Sequence, residues 1–172
     1  MILDFGNRRR FESGAVRDIC EGKGRCDLLP LDVISELYNM TDNDDARMVF
    51  RTLSRFVTTG DTKHLYGCLL FAFQKLFGAY EEMFIEVSKH FEEGNQKYPP
   101  DDDGKPNWQK GIPAHCYIDS AVRHYLKHLR GDTDERHDRA FIWNIMCCIW
   151  TCENKPEWND YRKGAVEEND LP

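Results

Sequence analysis

The sequence predicts an all-α fold, a single helical bundle with an irregular N-terminal arm and a long functional loop. Apolar residues recur at spacings of three and four in six separate segments, which is the period of an amphipathic helix. No segment alternates apolar and polar residues as a half-buried strand does. The chain has 172 residues, 41% of them apolar, and a chain of that size can bury a stable core without disulfides or structural metals.

Glycines, prolines and polar runs divide the chain into three predicted parts. Residues 1–29 form an arm, because glycines at positions 14, 22 and 24 interrupt any helix there. Residues 30–153 form the helical domain, and residues 154–172 form a polar C-terminal tail that is expected to fray.

Six helices are predicted within the helical domain. The first begins at Pro30, and the second has Asp44 or Asp45 as its cap and ends at Gly60. The others cover approximately residues 62–77, 80–93, 113–129 and 133–152.

Two features define the boundaries of the later helices. Gly94 is expected to end the fourth helix, and Asp132 with Glu135 forms a capping box that is expected to start the sixth. The connection between the fourth and fifth helices, residues 95–112, is 18 residues long. Loops of that length in compact domains usually carry function.

Net charge, the length of the apolar stretches and the cysteine content indicate which classes of protein to expect. A formal charge of −7 argues against general binding of duplex nucleic acid, which depends on neutralising phosphates, and suits binding of cations. The apolar stretches are too short to span a membrane, and the N-terminus lacks the apolar core of a signal peptide. The seven cysteines form no C-x-x-C pair, so we expect reduced thiols in a cytoplasmic protein.

Carboxylates on two predicted helices are the candidate metal ligands. Glu82 and Glu86 lie four residues apart, and Glu135 and Asp138 lie three apart, so each pair shares a helix face. Converging carboxylates are the ligands that Mg²⁺ or Mn²⁺ prefers. The alternative is a solvated acidic face, together with an acidic first turn that suits the helix dipole.

Three residues near these carboxylates are candidates for acid–base catalysis. His90 follows Glu86 by one turn, and His137 follows Glu135 by two residues. Histidine is the commonest general base in enzymes, and Glu135 itself is the third candidate. His124 and His128 form a further pair at helical spacing, which is either a metal half-site or a structural pair.

Basic, aromatic and amide residues are the candidate contacts to a nucleotide. Lysine and arginine bind phosphate oxygens, and an aromatic ring stacks on a base. In the arm, glycines also allow the backbone to approach a phosphate closely. The alternative for the loop is that its aromatic residues pin it to the helices. The candidates are Arg17, Lys23, Arg25, Lys97, Tyr98, Asn107, Trp108, Lys110, Asp119, Arg123, His124 and Asn144.

Five segments resemble one protein family. FESGAVRDICEGKGRCDLLP (residues 11–30) is similar to the N-terminal signature of the phage dATP/dGTP diphosphohydrolase family. The other four segments resemble its remaining blocks in the same order. They are HFEEGNQKY (90–98), NWQKGIP (107–113), DSAVRHYLKHLRGD (119–132) and DERHDRAFIWN (134–144).

The resemblance implies hydrolysis of a purine deoxynucleoside triphosphate to the monophosphate and pyrophosphate. A more distant similarity to the all-α MazG-type pyrophosphohydrolases implies a homo-oligomer, with magnesium held by E-x-x-E on one helix and E-x-x-D on another. Glu135 and Asp138 match the second pattern, whereas Glu82 and Glu86 are one residue too far apart for the first. Residues 31–79 resemble an insertion between the family's blocks.

Three alternative functions were considered for the same candidate residues. A phage protein that binds a nucleotide without cleaving it would act as a sponge for a host defence signal, and would need bases and aromatic rings but no metal. A hydrolase of a cyclic or dinucleotide signal is the second alternative. A purely structural protein would explain the helices, but not the polar residues clustered at three helix ends.

Overall fold

The computed structural model describes residues 8–19 and 22–162, and it confirms the all-α fold. Six α-helices lie in these ranges: α1 Leu31–Asn39, α2 Asp44–Thr59, α3 Lys63–Leu76, α4 Tyr80–Lys97, α5 Ala114–Arg130 and α6 His137–Asn154. A two-stranded antiparallel ribbon, β1 Arg8–Arg10 and β2 Val16–Asp18, is the only sheet within the described residues. None of the described helices combines the length and apolar character needed to cross a membrane.

The core is built mainly around α5 and α6, which pack against each other along their lengths. Tyr117 and Ile118 on α5, and Phe141 and Ile145 on α6, are fully buried. Helices α1, α2 and α3 pack in sequence beside them. Helix α4 packs against the first half of α6, where the rings of His90 and Phe91 meet Trp143. Since helix stability comes chiefly from burying an apolar face, α5 and α6 are the most firmly held supports for side chains.

Local capping explains where α2 begins and ends. The Asn43 side chain accepts a hydrogen bond from the Ala46 amide at 3.1 Å, so Asn43, rather than Asp44 or Asp45, is the cap. Gly60 ends the helix as predicted, with φ of 67°. A Cβ on Gly60 would lie 2.6 Å from the backbone of Arg162, so no larger residue fits.

Two predicted helix boundaries are wrong. Helix α4 continues through Gly94 to Lys97, because a single helical glycine costs only about 1 kcal/mol and the packed helix tolerates it. Helix α6 begins at His137 and not near Thr133. The predicted capping box does not form, since Asp132 pairs with Arg130 and Glu135 turns toward two histidines.

The described residues of the arm and the first part of the predicted tail both pack against the helical domain. The Asn107 side chain holds β2 by accepting from the Val16 amide at 2.7 Å and donating to the Val16 carbonyl at 2.8 Å. At the other end, buried Asn159 donates to the Gly60 carbonyl at 2.8 Å, so the chain is packed rather than frayed at that point. The remaining tail, residues 163–172, lies outside the described residues.

Candidate functional site

A cavity of about 400 Å³ lies where β2, the C-terminal half of α4, α5 and the start of α6 meet. This volume is within the usual range for small-ligand sites. The structure brings eleven of the predicted site residues to its lining. They are Arg17, Lys23, His90, Lys97, Tyr98, Asn107, Trp108, Arg123, His124, Glu135 and Asn144.

Two aspartates each hold one basic side chain of the cavity in place. Asp18 on β2 pairs with Lys97 Nζ at 2.6 Å and accepts from the Tyr98 hydroxyl at 2.6 Å. Asp119 on α5 pairs with Arg123 Nη2 at 2.6 Å and lies buried behind that arginine. Asp119 was a candidate for substrate contact, whereas in the structure its carboxylate holds Arg123.

Arg17 lines the cavity, and one of its guanidinium nitrogens has no hydrogen-bond partner among the described residues. Its guanidinium lies 4.9 Å from the centre of the Tyr117 ring, and Nη2 donates to Asn144 Oδ1 at 2.5 Å. Asn144 is fixed in turn by donating to the Ala140 carbonyl at 2.8 Å. Arg17 Nη1 is buried with no hydrogen-bond partner in the described part of the chain. An unmet charged donor is costly, so this atom is suited to an anionic ligand.

A cluster of imidazole and carboxylate groups forms one edge of the cavity. His124 Nδ1 lies 2.9 Å from Glu135 Oε1 and 3.1 Å from His137 Nδ1. His137 Nδ1 lies 3.5 Å from Glu135 Oε1, and its Nε2 contacts Asp134 Oδ1 at 2.7 Å. We call His124, Glu135 and His137 the His–Glu cluster. Its donor atoms are close enough together to hold a metal ion.

Burial and hydrogen bonding set the charge states at this edge. Burial opposes ionisation of Glu135, but the hydrogen bond from His124 and the nearby imidazoles outweigh it and lower the pKa of Glu135. Burial lowers the pKa of His124. Burial, aided by Arg139, lowers the pKa of His90 to about 3, so His90 is neutral and a weak base near pH 7. His90 Nδ1 is buried without a hydrogen-bond partner among the described residues.

The four predicted metal carboxylates do not meet at one point. Arg136 lies 2.8 Å from Asp138 Oδ2 and 3.4 Å from Glu86 Oε2, and Glu82 is near enough to raise the pKa of Arg136. Only Glu135 lines the cavity among these carboxylates. We call Glu82, Glu86, Arg136 and Asp138 the arginine cluster. The cause is the late start of α6, which leaves Glu135 outside the helix and off the face that carries Asp138.

Two further candidates lie outside the cavity, and one has two roles. Arg25 pairs with Asp27 at 2.5 Å, and Lys110 pairs with Asp101 at 3.3 Å. Trp108 lines the cavity, yet its ring also packs against neighbouring rings, with centroids 5.3 Å from Phe91 and 5.1 Å from Trp150. The loop is therefore pinned to the helices and contributes to the site at the same time.

Sequence reasoning missed several residues that line or support the cavity. Tyr117 shares the inward face of α5 with Ala121, one turn away, so helical spacing was a usable signal for it. Asp134 and Lys127 pair at 2.9 Å beside the His–Glu cluster, and no sequence pattern connects them. Trp143 lines the cavity and lies 5.3 Å from His90 between ring centroids, but it sits in an apolar stretch of α6 that gives no sign of this contact.

One protein-family model matches the chain. The model described as dATP/dGTP diphosphohydrolase, N-terminal, matches residues 69–161, which is just over half of the 172 residues. The matched range contains α4, α5, α6 and the loop after α4, and it excludes the arm that carries Arg17 and Lys23. Comparison with curated proteins and with solved structures gave no match.

Proposed function

Since the chain belongs to the dATP/dGTP diphosphohydrolase family, we propose that it hydrolyses a purine deoxynucleoside triphosphate in this cavity. Water adds to the α-phosphorus, the bond to the bridging oxygen breaks, and the products are the nucleoside monophosphate and pyrophosphate. The observation that carries the proposal is the convergence of basic, aromatic and acidic side chains on one cavity of about 400 Å³.

The basic side chains are suited to the triphosphate. Arg17 offers its unpartnered Nη1, and Lys23, Lys97 and Arg123 add positive charge on the same cavity. Arginine binds phosphate oxygens through a planar fork, and lysine does so as a point charge. The rings of Tyr98 or Trp108 then stack on the purine, which contributes about 1–3 kcal/mol per base.

Glu135 is the best-placed group to accept a proton from the attacking water. Its lowered pKa keeps it ionised near pH 7, whereas the low pKa of His90 makes that imidazole a weak base. His124 Nδ1, at 2.9 Å from Glu135 Oε1, donates to the carboxylate and orients it.

A divalent cation, Mg²⁺ or Mn²⁺, is part of the proposal. It neutralises charge on the triphosphate and polarises the reacting phosphoryl group when bound. The acidic and histidine groups beside the cavity fit a divalent metal. Glu135 is the proposed carboxylate ligand at the cavity, and Glu82, Glu86 and Asp138 remain proposed magnesium ligands that depend on displacement of Arg136.

Assembly and location are also proposals. Leu70, Phe84 and Ile85 are each more than half exposed, and such apolar side chains support a homo-oligomer. The acidic net charge supports a nucleotide, rather than duplex nucleic acid, as the partner. The thiols of the described cysteines suit the cytoplasm.

The test is product analysis with purified protein. We expect pyrophosphate and dGMP or dAMP from dGTP or dATP with MgCl₂, and little product from dCTP or dTTP. The Arg51→Gln variant, changed on an exposed face of α2, serves as the matched control and should keep full activity. Absence of pyrophosphate from every purine triphosphate would contradict the proposal.

A non-catalytic nucleotide sponge is the second candidate. The observation in its favour is that Arg136 already neutralises Glu86 and Asp138, which the related metal sites need. A sponge would release an intact nucleotide after incubation and denaturation, whereas the enzyme would release a cleaved one. A hydrolase of a cyclic or dinucleotide signal would yield a third product in the same assay.

A further inference from the structure

The spacing of the donor atoms in the His–Glu cluster is that of ligands around one metal ion. The three separations among His124 Nδ1, Glu135 Oε1 and His137 Nδ1 are 2.9, 3.1 and 3.5 Å. Ligands held tetrahedrally at about 2.0–2.1 Å from a metal lie about 3.3 Å from one another. We propose that these three residues bind a first-row transition-metal dication of the zinc class.

The kind of donor selects this class of metal over magnesium. Two imidazole nitrogens and one carboxylate oxygen make a borderline donor set, which zinc and its neighbours prefer. Mg²⁺ prefers six oxygen ligands, several of them water. Glu135 then serves the ion of the cluster in place of magnesium, and magnesium arrives bound to the triphosphate.

Glu135 has no lysine or arginine to balance its charge within the described residues. The side chain is 12% exposed, and its partners within the described residues are imidazoles. A largely buried carboxylate needs a compensating charge, and a dication supplies it.

A second carboxylate orients one of the ligands. Asp134 Oδ1 lies 2.7 Å from His137 Nε2, and Lys127 pairs with Asp134 at 2.9 Å. This hydrogen-bond pattern assigns the proton of His137 to Nε2 and leaves the Nδ1 lone pair facing the cluster. Carboxylate–histidine pairs of this kind support the ligands of most histidine metal sites.

A neighbouring group of donors is a weaker candidate. Asp132, Asp134 and His137 also lie close together, but they contain one imidazole. Both of their carboxylates already have cations, since Arg130 pairs with Asp132 and Lys127 pairs with Asp134. The His–Glu cluster also differs in position, because His124 and Glu135 line the cavity. Its role beside a triphosphate rests on the proposed function, whereas metal binding itself does not.

The experiment is metal titration of the full chain after chelator treatment. Calorimetry with Zn²⁺ and visible absorption with Co²⁺ should each show one ion per chain, and a large excess of Mg²⁺ should not displace it. Glu135→Gln and His137→Gln should weaken binding at least about 100-fold. His128→Gln, one turn along α5 from His124, is the matched control and should bind as the wild type does. Circular dichroism checks that each variant is folded. If His137→Gln does not fold, the metal affinity of Glu135→Gln alone tests the proposal.

Three results would overturn the assignment. They are absence of Zn²⁺ and Co²⁺ binding, unchanged affinity in Glu135→Gln, and thiolate-to-cobalt charge-transfer bands, which would place the ion on cysteines. Cleavage of dGTP with magnesium by a chain that binds no transition metal would sink this inference and leave the proposed function standing. Metal binding without cleavage of any nucleotide would support this inference and contradict the proposed function.

Discussion

Glu135 and Arg136 are adjacent in the chain but belong to two clusters of different character. Glu135 lies in the His–Glu cluster, where its partners are imidazoles and its side chain is 12% exposed. Arg136 lies in the arginine cluster, where it is 52% exposed and contacts Glu86 and Asp138. The first cluster borders the cavity and the second lies outside its lining.

The difference shows that the partner of a carboxylate, more than the number of carboxylates, decides whether it is available to a metal. Arginine is charged at every physiological pH, so Glu86 and Asp138 are already neutralised. The partners of Glu135 are imidazoles, which are themselves metal ligands, so its carboxylate stays available to a metal. The arginine cluster has more carboxylates than the His–Glu cluster, but it is the less suitable metal site as long as Arg136 pairs with them.

The largest effect on activity is expected from substitution of Glu135, and comparison with Glu86 tells the two clusters apart. Glu135→Gln keeps the shape of the side chain and removes its charge, so we expect a fall in kcat/KM for dGTP of about 100-fold or more. Glu86→Gln should change it by less than about threefold, because Glu86 contacts Lys89 and Arg136 rather than the cavity. Steady-state pyrophosphate release measures both variants.

Reversal of this order would restore the original assignment. If Glu86→Gln abolished activity and Glu135→Gln kept it, magnesium would bind the carboxylates of the arginine cluster during turnover, and Arg136 would have to move. Equal losses in both variants would mean that the two clusters act together. Thermal unfolding of each variant separates such losses from misfolding.

A smaller effect is expected at Arg17, which lines the same cavity and belongs to neither cluster. Arg17→Gln removes a charged donor that has no partner within the described chain, and we expect KM for dGTP to rise about 10- to 100-fold. The matched control is Arg51→Gln. An unchanged KM would mean that the triphosphate does not reach Arg17.

The helices were predictable because they follow from local pattern, and helical periodicity located all six described ones. The basic lining was only partly predictable from residue type. Type alone also selected Arg25 and Lys110, which pair outside the cavity, and it left out Lys127, which lines it. The end of α2 at Gly60 was predictable from the glycine itself.

The metal ligands were not predictable from spacing. Their grouping depends on where α6 begins, and the shift of that start to His137 moves Glu135 off the helix and toward His124. The role of Arg136 depends on tertiary contact with Glu86 on another helix. The β1–β2 ribbon was missed because three-residue strands carry too little alternation to detect.

The acid stability of the protein tests the charge state at the cavity. The folded pKa of His90 is lowered from 6.5 to about 3, so between those pH values the unfolded chain binds more protons than the folded one. Stability therefore falls as pH decreases from 6.5 toward 3, by at most about 1.4 kcal/mol per pH unit for one proton. In urea unfolding, His90→Gln should flatten this slope.

His115 provides the control of opposite sign. Its hydrogen bond to Asp160 raises its pKa to about 10, so its contribution is complete below pH 6.5 and is lost as pH rises toward 10. His115→Gln should leave the acid slope unchanged and reduce the loss above neutrality. An acid slope that survives in His90→Gln would mean that other groups cause it.

The smallest effect is expected from Arg136 itself. Arg136→Gln removes the cation from Glu86 and Asp138, but the arginine is half exposed, so the loss of stability should be only about 0.5–1 kcal/mol. The vacated carboxylates are then free to bind a hard cation, and millimolar Mg²⁺ should raise the thermal midpoint of this variant but not of Arg51→Gln. Absence of any magnesium effect would show that these carboxylates are too widely spaced to chelate, which leaves the His–Glu cluster as the metal site of the described chain.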